Sequence, residues 1–109
     1  MDQPTAGIEG VARIERVAEV FEVWPREDLP FAKFKIKVLD RGSSQFLGIP
    51  NVAIKNPVTG NREGTSGLGE SVEEALQDAL RYFFKELQEH PYDRPLTEDD
   101  FSWADPEDF

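Results

Sequence analysis

One stretch of the chain, from Ser71 to Leu87, has the pattern of a half-buried amphipathic helix. Its apolar residues recur at the i, i+3, i+4 and i+7 spacing that places them on one helix face. Ser71 lies at the N-cap position, and Glu74 three residues later completes a capping box. Pro91 ends the helix, because a proline disfavours helical geometry in the residue before it. The pattern predicts a helix over residues 71–89 whose apolar face needs a sheet to cover it.

A lysine-rich strand is predicted before this helix. From residue 31 to residue 39, apolar and basic side chains alternate with the period of two that is typical of a strand with one buried face. Residues 40–44 indicate a turn, and residues 45–56 indicate a second strand region that Pro50 interrupts, which favours a bulge or a sheet edge there. The apolar positions of the first strand are Phe34, Ile36 and Val38, and its basic positions are Lys33, Lys35 and Lys37.

Residues 8–24 admit two interpretations. Their apolar side chains fall on one face of a helical wheel, yet the stretch is rich in Val and Ile. Residues 17–23 also alternate as a strand, with Val17, Phe21 and Val23 on one side and Glu19 as an exception. We favour the strand, because one helix needs several strands to cover it, and keep the helix as the alternative.

These patterns together predict an α+β fold. An antiparallel sheet of about three strands packs against one long amphipathic helix (residues 71–89). We expect a flexible leader over residues 1–7, a single α+β domain over residues 8–90, and an acidic aromatic tail over residues 91–109. A chain of 109 residues is long enough for one modest core and too short for two.

The charge balance limits the partners that the overall field can attract. The chain has 22 acidic and 12 basic residues and a formal charge of -10, which argues against general affinity for nucleic acid or anionic membranes. It is compatible with a basic protein partner, with imitation of nucleic acid, or with an ordinary solvated surface. With no Cys, no signal-peptide pattern and no apolar stretch of about 20 residues, we expect a cytoplasmic protein without disulfides.

No motif for catalysis or cofactor binding is present. The sequence contains no G-x-S-x-G, Walker or H-E-x-x-H pattern. The one histidine, His90, is predicted to be a helix C-terminal residue that the helix dipole stabilises. Gly60, Gly64, Gly67 and Gly69 are predicted to be turn and strand-entry glycines, since no Lys-Ser/Thr follows them. We therefore expect no enzyme activity, no cofactor and no metal site.

The predicted C-terminal tail combines acids with large aromatic side chains outside any periodic core pattern. With Thr97 as its cap, one helical turn over residues 98–104 could insert Phe101 and Trp103 into a groove of a partner protein. Two alternatives stay open: the tail folds back on its own domain, with Trp103 completing a small core, or it is a disordered solubilising end. The candidate partner-binding residues are Asp99, Asp100, Phe101, Trp103, Asp108 and Phe109.

The lysine row is the one basic surface that the sequence indicates. Ammonium groups at every second strand position lie about 6.5–7 Å apart, so an open row could follow a phosphate backbone. The alternative is a solvated face to which acids from residues 17–23 pair across the strands. The candidate nucleic-acid-binding residues are Lys33, Lys35 and Lys37.

Three resemblances to known families add expectations. The helix begins with Gly69-Glu70-Ser71-Val72-Glu73-Glu74-Ala75, and the hairpin before it contains Phe46-Leu47-Gly48-Ile49-Pro50. Residues 33–88 thereby resemble the HicB-type antitoxins, which implies a β-β-β-α order, although no DNA-binding segment follows the helix here. The same order is similar to the double-stranded-RNA-binding domain, but acids stand where that family has lysines that meet phosphates.

The last five residues carry the third resemblance. Asp105-Pro106-Glu107-Asp108-Phe109 resembles the acidic tips of bacterial and phage single-stranded-DNA-binding proteins. The resemblance implies that the terminal aromatic side chain and its carboxylate dock into a basic pocket of a partner enzyme.

The functional expectation is a small non-enzymatic acidic binding protein of bacterial or phage type. It engages or inhibits a basic or nucleic-acid-handling protein, in the manner of an antitoxin or a nucleic-acid mimic. Deletion of residues 96–109 is then expected to weaken partner binding and leave the domain folded. The alternative is a small single-stranded nucleic-acid-binding protein with a lysine-lined sheet face and a docking tail. An edge strand beside Pro50 would also permit a homodimer.

Overall fold

The structure, a computed structural model, describes residues 9–26, 28–90 and 92–109. The leader predicted over residues 1–7 lies outside this part of the chain. Within these ranges the chain forms one α-helix and two antiparallel sheets, which confirms the α+β class and the long helix. The first sheet has the order β1-β2-β3-β6 and the second has the order β5-β4-β7. The elements are β1 (Arg16–Val23), β2 (Phe34–Asp40), β3 (Phe46–Pro50), β4 (Val52–Lys55), β5 (Arg62–Glu63), β6 (Gly67–Gly69), α1 (Val72–Gln88) and β7 (Phe101–Trp103).

The ambiguous N-terminal stretch forms strand β1 over residues 16–23, as favoured above. A bulge between Val17 and Glu19 shifts the register, so that Val17 lies opposite Leu39 whereas Phe21 lies opposite Ile36. The prediction that Val17 shares a face with Phe21 is therefore wrong. A bulge adds one unpaired residue, which moves every side chain before it to the other face.

The core lies between the first sheet and α1. Alternation in β2 places Phe34, Ile36 and Val38 under the helix, where all three are buried, as predicted. The helix contributes every third or fourth residue to the same core, because those positions share one helix face. Its buried residues are Ala75, Ala79, Phe83 and Leu87.

The start of α1 is capped by side chains. The Ser71 hydroxyl accepts a hydrogen bond from the Glu74 amide at 3.1 Å, as the sequence predicts for an N-cap. The Glu74 carboxylate accepts the amide N–H of Glu70 at 3.1 Å, one residue before the position that a capping box requires.

No helix in the described part of the chain is long and apolar enough to cross a membrane.

Three glycines let the helix approach the sheet closely. Gly48 and Gly67 pair across β3 and β6, and Gly69 follows in β6. A Cβ atom at Gly48 would lie 2.8 Å from the Ala75 carbonyl oxygen, and one at Gly67 would overlap the backbone of Ala79. Gly67 and Gly69 therefore serve helix packing within a strand, which the prediction of turn and strand-entry glycines missed.

Asn51 joins the two sheets where the chain leaves β3 after Pro50. Its backbone N–H donates to the carbonyl of Lys35 at 2.9 Å, and its side-chain oxygen accepts the Lys35 amide at 2.8 Å. Its own carbonyl accepts the amide of Ala104 at 2.8 Å. One residue thus fixes β2, β4 and the C-terminal segment relative to each other. Pro50 is the last residue of β3, which lies between β2 and β6 in the first sheet. The edges of this sheet are β1 and β6.

The C-terminal segment folds back on its own domain, which is one of the three alternatives above. Strand β7 pairs antiparallel with β4, with Phe101 opposite Ile54 and Trp103 opposite Val52. Phe101 is 4% exposed and belongs to the main core. Residues 101–103 are therefore part of the same folded unit as the helix and both sheets.

Candidate protein-binding surface

The six candidate partner-binding residues fall into two groups. Asp99, Asp100, Phe101 and Trp103 lie on the turn before β7 and on the strand itself. Asp108 and Phe109 lie at the end of a second short 3-10 turn, Pro106–Asp108, which we call the C-terminal turn. Both residues contact Lys37, on the face of the first sheet that α1 does not cover. The prediction of one helical turn over residues 98–104 is wrong beyond Asp100, since the chain becomes a strand at Phe101.

Trp103 is the exposed aromatic side chain of the first group. It is 43% exposed, and its ring meets the ring of Phe31 edge-to-face at 5.0 Å between centroids. The Phe31 ring in turn meets the buried Phe101 ring edge-to-face at 5.0 Å. Edge-to-face contacts of this kind favour one arrangement of the two rings. Trp103 is therefore a pre-positioned apolar side chain at the surface.

The strand that carries Trp103 lies at an edge of the second sheet. In the described part of the chain β7 pairs only with β4, so its other edge has no strand partner, although the Phe101 amide donates to the Glu98 carbonyl. The surface around the indole can thus offer backbone hydrogen bonds as well as apolar contact.

Asp100 supports this surface from within. Its buried carboxylate accepts two hydrogen bonds from the Arg94 guanidinium, at 2.8 and 2.9 Å, and one from the Thr97 amide at 2.7 Å. The hydrogen bonds from Arg94, followed by that from the Thr97 amide, hold the pKa of Asp100 well below its usual range, although burial opposes this shift. Asp100 and Phe101 are predicted from the sequence as partner contacts, but both side chains are buried. They support the surface from within and are not exposed on it.

Replacement of Asp100 by asparagine is expected to destabilise the fold by about 2 kcal/mol at pH 7, because the Arg94 guanidinium and the Thr97 amide lose a charged acceptor. The carboxylate has a lower pKa in the folded state than the value near 3.9 of an unfolded aspartate. Its contribution to stability is therefore complete above about pH 5 and declines as the pH falls below about 4. Urea unfolding from pH 7 to pH 2 should show a shallower acid loss in the variant than in the wild type.

Asp99 offers the matched control for this experiment. Its side chain is exposed one residue earlier, so Asp99→Asn should change the free energy of unfolding by no more than about 0.5 kcal/mol. Equal stabilities and equal acid profiles for the two variants would contradict the role of Asp100.

Exposed carboxylates lie on both sides of β7 in the sequence. Glu98 and Asp99 are exposed on the turn before the strand, and Asp105 and Glu107 are exposed on the turn after it. Arg94 is the one basic residue between positions 92 and 109, and it is engaged by Asp100. The exposed groups next to Trp103 in the chain are therefore negative.

The lysine row has a different environment at each position. The Lys33 ammonium forms an ion pair with Glu22 at 2.7 Å, and the hydrogen bond from Lys33 lowers the pKa of Glu22. Lys35 is exposed and lies opposite Glu22 in the sheet. Lys37 is only 8% exposed and donates to the carbonyl oxygen of Asp108 at 2.8 Å. Glu22 is thus an acid from residues 17–23 that pairs with the lysine row, as the alternative predicts. Lys33, Lys35 and Lys37 do not present three free ammonium groups.

His, Asp and Glu side chains do not cluster as metal ligands in the described ranges. No group of three or more His, Asp or Glu side chains there could hold a metal ion. The His90 imidazole accepts the amide N–H of Tyr92 through its Nδ1 atom at 3.2 Å. Its ring also lies 5.8 Å from the ring of Tyr92, so it belongs to the turn after the helix.

Comparisons with protein-family models, with curated proteins and with solved structures find no match to this chain. The resemblances to antitoxins, to the double-stranded-RNA-binding domain and to the tips of single-stranded-DNA-binding proteins therefore stay predictions. The candidate surface has to be argued from its own residues.

Two residues of this surface were not singled out from the sequence. Arg94 had a signal, because it is the one base in an otherwise acidic segment and such a charge needs an acidic partner. Phe31 had none, since a phenylalanine beside Pro30 is equally compatible with a loop and with the start of a strand.

Proposed function

We propose that this chain is a non-enzymatic acidic binding protein that engages a basic protein partner through Trp103 and the carboxylates beside β7. The observation that carries the proposal is the exposed indole of Trp103, fixed against the ring of Phe31. Tryptophan is among the residue types that dominate binding energies when a partner covers them. A side chain that is already held in place loses little conformational entropy on binding.

The sign of the surrounding charge indicates the chemistry of the partner. Glu98, Asp99, Asp105 and Glu107 surround β7 in the chain, and the net charge of the protein is -10. Such a field accelerates the encounter with a positively charged protein and disfavours an acidic one. Many basic proteins bind nucleic acid, so the class of partner includes nucleic-acid-handling proteins. In this proposal the chain binds such a protein as an antitoxin or a nucleic-acid mimic does.

Direct binding of single-stranded nucleic acid is less well supported. Of the three candidate lysines, Lys33 is paired with Glu22 and Lys37 is buried against the C-terminal turn. Within this row, Lys35 is the lysine that keeps an exposed ammonium without an ion pair in the described part of the chain. One such cation gives little of the counterion release on which nucleic-acid affinity depends.

The proposal is tested by affinity capture from a nuclease-treated extract of the source cells. Trp103→Ala should lower the affinity for the captured basic protein by roughly 30-fold or more, the effect of losing about 2 kcal/mol of binding energy. Trp24→Ala is the control, because it removes the same side chain from a more exposed position, 63%, on the loop after β1. A basic protein that both variants retain equally, or capture of acidic proteins alone, would contradict the proposal.

A further inference from the structure

A second candidate site lies on the face of the first sheet that α1 does not cover. A cavity of about 280 Å³ opens there between the sheet and the C-terminal turn. Its walls combine two basic residues, one acidic residue (Asp108), one hydroxyl and several apolar groups. The lining residues used below are Lys37, Ile49, Pro50, Arg62, Thr65 and Phe109.

Lys37 is the most unusual member of this lining. It is nine-tenths buried, and its ammonium donates to the carbonyl oxygen of Asp108 at 2.8 Å and lies 4.8 Å from the centroid of the Phe109 ring. No ion pair in the described part of the chain includes it. Buried charges in proteins are normally paired, and an ammonium has three donors, of which the Asp108 carbonyl uses one. Lys37 therefore has both charge and donors left for an anion.

Two further polar groups line the same cavity. The Thr65 hydroxyl is buried and has no hydrogen-bond partner in the described part of the chain. Arg62, on β5, adds a second positive charge, and a guanidinium is suited to planar oxyanions. Buried polar atoms without partners are rare in native proteins and call for an explanation such as a missing ligand.

We propose that this cavity binds a small organic anion whose carboxylate or phosphate group meets Lys37, Arg62 and Thr65. Its apolar part would lie against Ile49, Pro50 and the ring of Phe109. The volume of the cavity, about 280 Å³, is near the lower limit of typical ligand pockets, which restricts the ligand to a molecule about the size of benzoate. Trp103, Phe31 and the exposed carboxylates beside β7 do not line this cavity, so the proposed site does not depend on the proposed function.

The test uses the full chain, with inorganic phosphate and benzoate as probes. Saturable NMR shifts of the Gly64, Thr65 and Ala104 amides are expected for at least one probe at millimolar concentration. Lys37→Met should weaken that binding at least tenfold, and Lys35→Met, on the same strand and face, should leave it unchanged. Stronger binding of benzoate would identify a carboxylate ligand, and stronger binding of phosphate a phosphate ligand.

A second variant keeps the test decisive if Lys37→Met does not fold. Arg62→Gln changes an exposed residue of the two-residue strand β5 and should weaken binding of the same probe at least threefold. The absence of saturable shifts with either probe up to about 10 mM in the folded wild type would overturn the proposal. Equal loss in Lys35→Met, or shifts confined to amides away from the cavity, would overturn it as well.

Discussion

Replacement of Gly67 by alanine is expected to destabilise the protein by about 3 kcal/mol or more. The added Cβ would overlap the backbone of Asp78 and Ala79 in the middle of α1, and backbone atoms cannot move aside as a flexible side chain can. The helix would have to lift away from β3 and β6, which separates the buried Ala75 and Ala79 from the sheet. Urea unfolding followed by circular dichroism measures the loss directly.

Gly64 provides the control for this prediction, because a Cβ there would meet nothing within 4 Å. Gly64→Ala is expected to change the free energy of unfolding by less than about 1 kcal/mol. A Gly67→Ala variant as stable as Gly64→Ala would contradict the close approach of helix and sheet.

Replacement of Phe101 by alanine is expected to destabilise the protein by about 3–5 kcal/mol, the usual range for a fully buried phenylalanine. Phe101 lies in the core next to Phe31 and links the C-terminal segment to the rest of the fold. Deletion of residues 96–109 should therefore unfold much of the domain, in contrast to the expectation that the domain stays folded without them. Thermal unfolding of both variants checks this.

Phe109 is the matched control in the same segment. It is half-buried and contacts Lys37 through its ring, so Phe109→Ala should lower stability by about 1 kcal/mol. A truncated chain with a wild-type melting temperature would show that the C-terminal segment is a dispensable tail after all.

The sequence predicts the parts of the fold that depend on local periodicity. The capped helix and the alternation of Phe34, Ile36 and Val38 with lysines are both regular, and the structure confirms the helix and the three buried apolar positions, although Lys37 is buried too. The bulge in β1 could not be predicted, because it inserts one residue without any glycine or proline to mark it. Gly67 shows the same limit, since the demand for a missing Cβ comes from a helix that follows it in the chain.

The candidate site was predicted only in part, for a related reason. The sequence identifies Trp103 and Asp99, which the structure leaves exposed, together with Phe101 and Asp100, which it buries. Acids and aromatic side chains outside a periodic pattern do not indicate which of them packs inward. That choice depends on the pairing of β7 with β4 and on the contact between Arg94 and Asp100, both of which form only in the folded chain.

Fluorescence of Trp103 is the most direct test of its role as the anchor of a protein interface. The chain has two tryptophans, so Trp24→Phe leaves Trp103 as the sole indole. Titration of this variant with the captured basic partner should shift the emission to shorter wavelengths, because the interface removes water from the ring. An unchanged emission spectrum at saturating partner, with calorimetry showing that the complex has formed, would contradict the account.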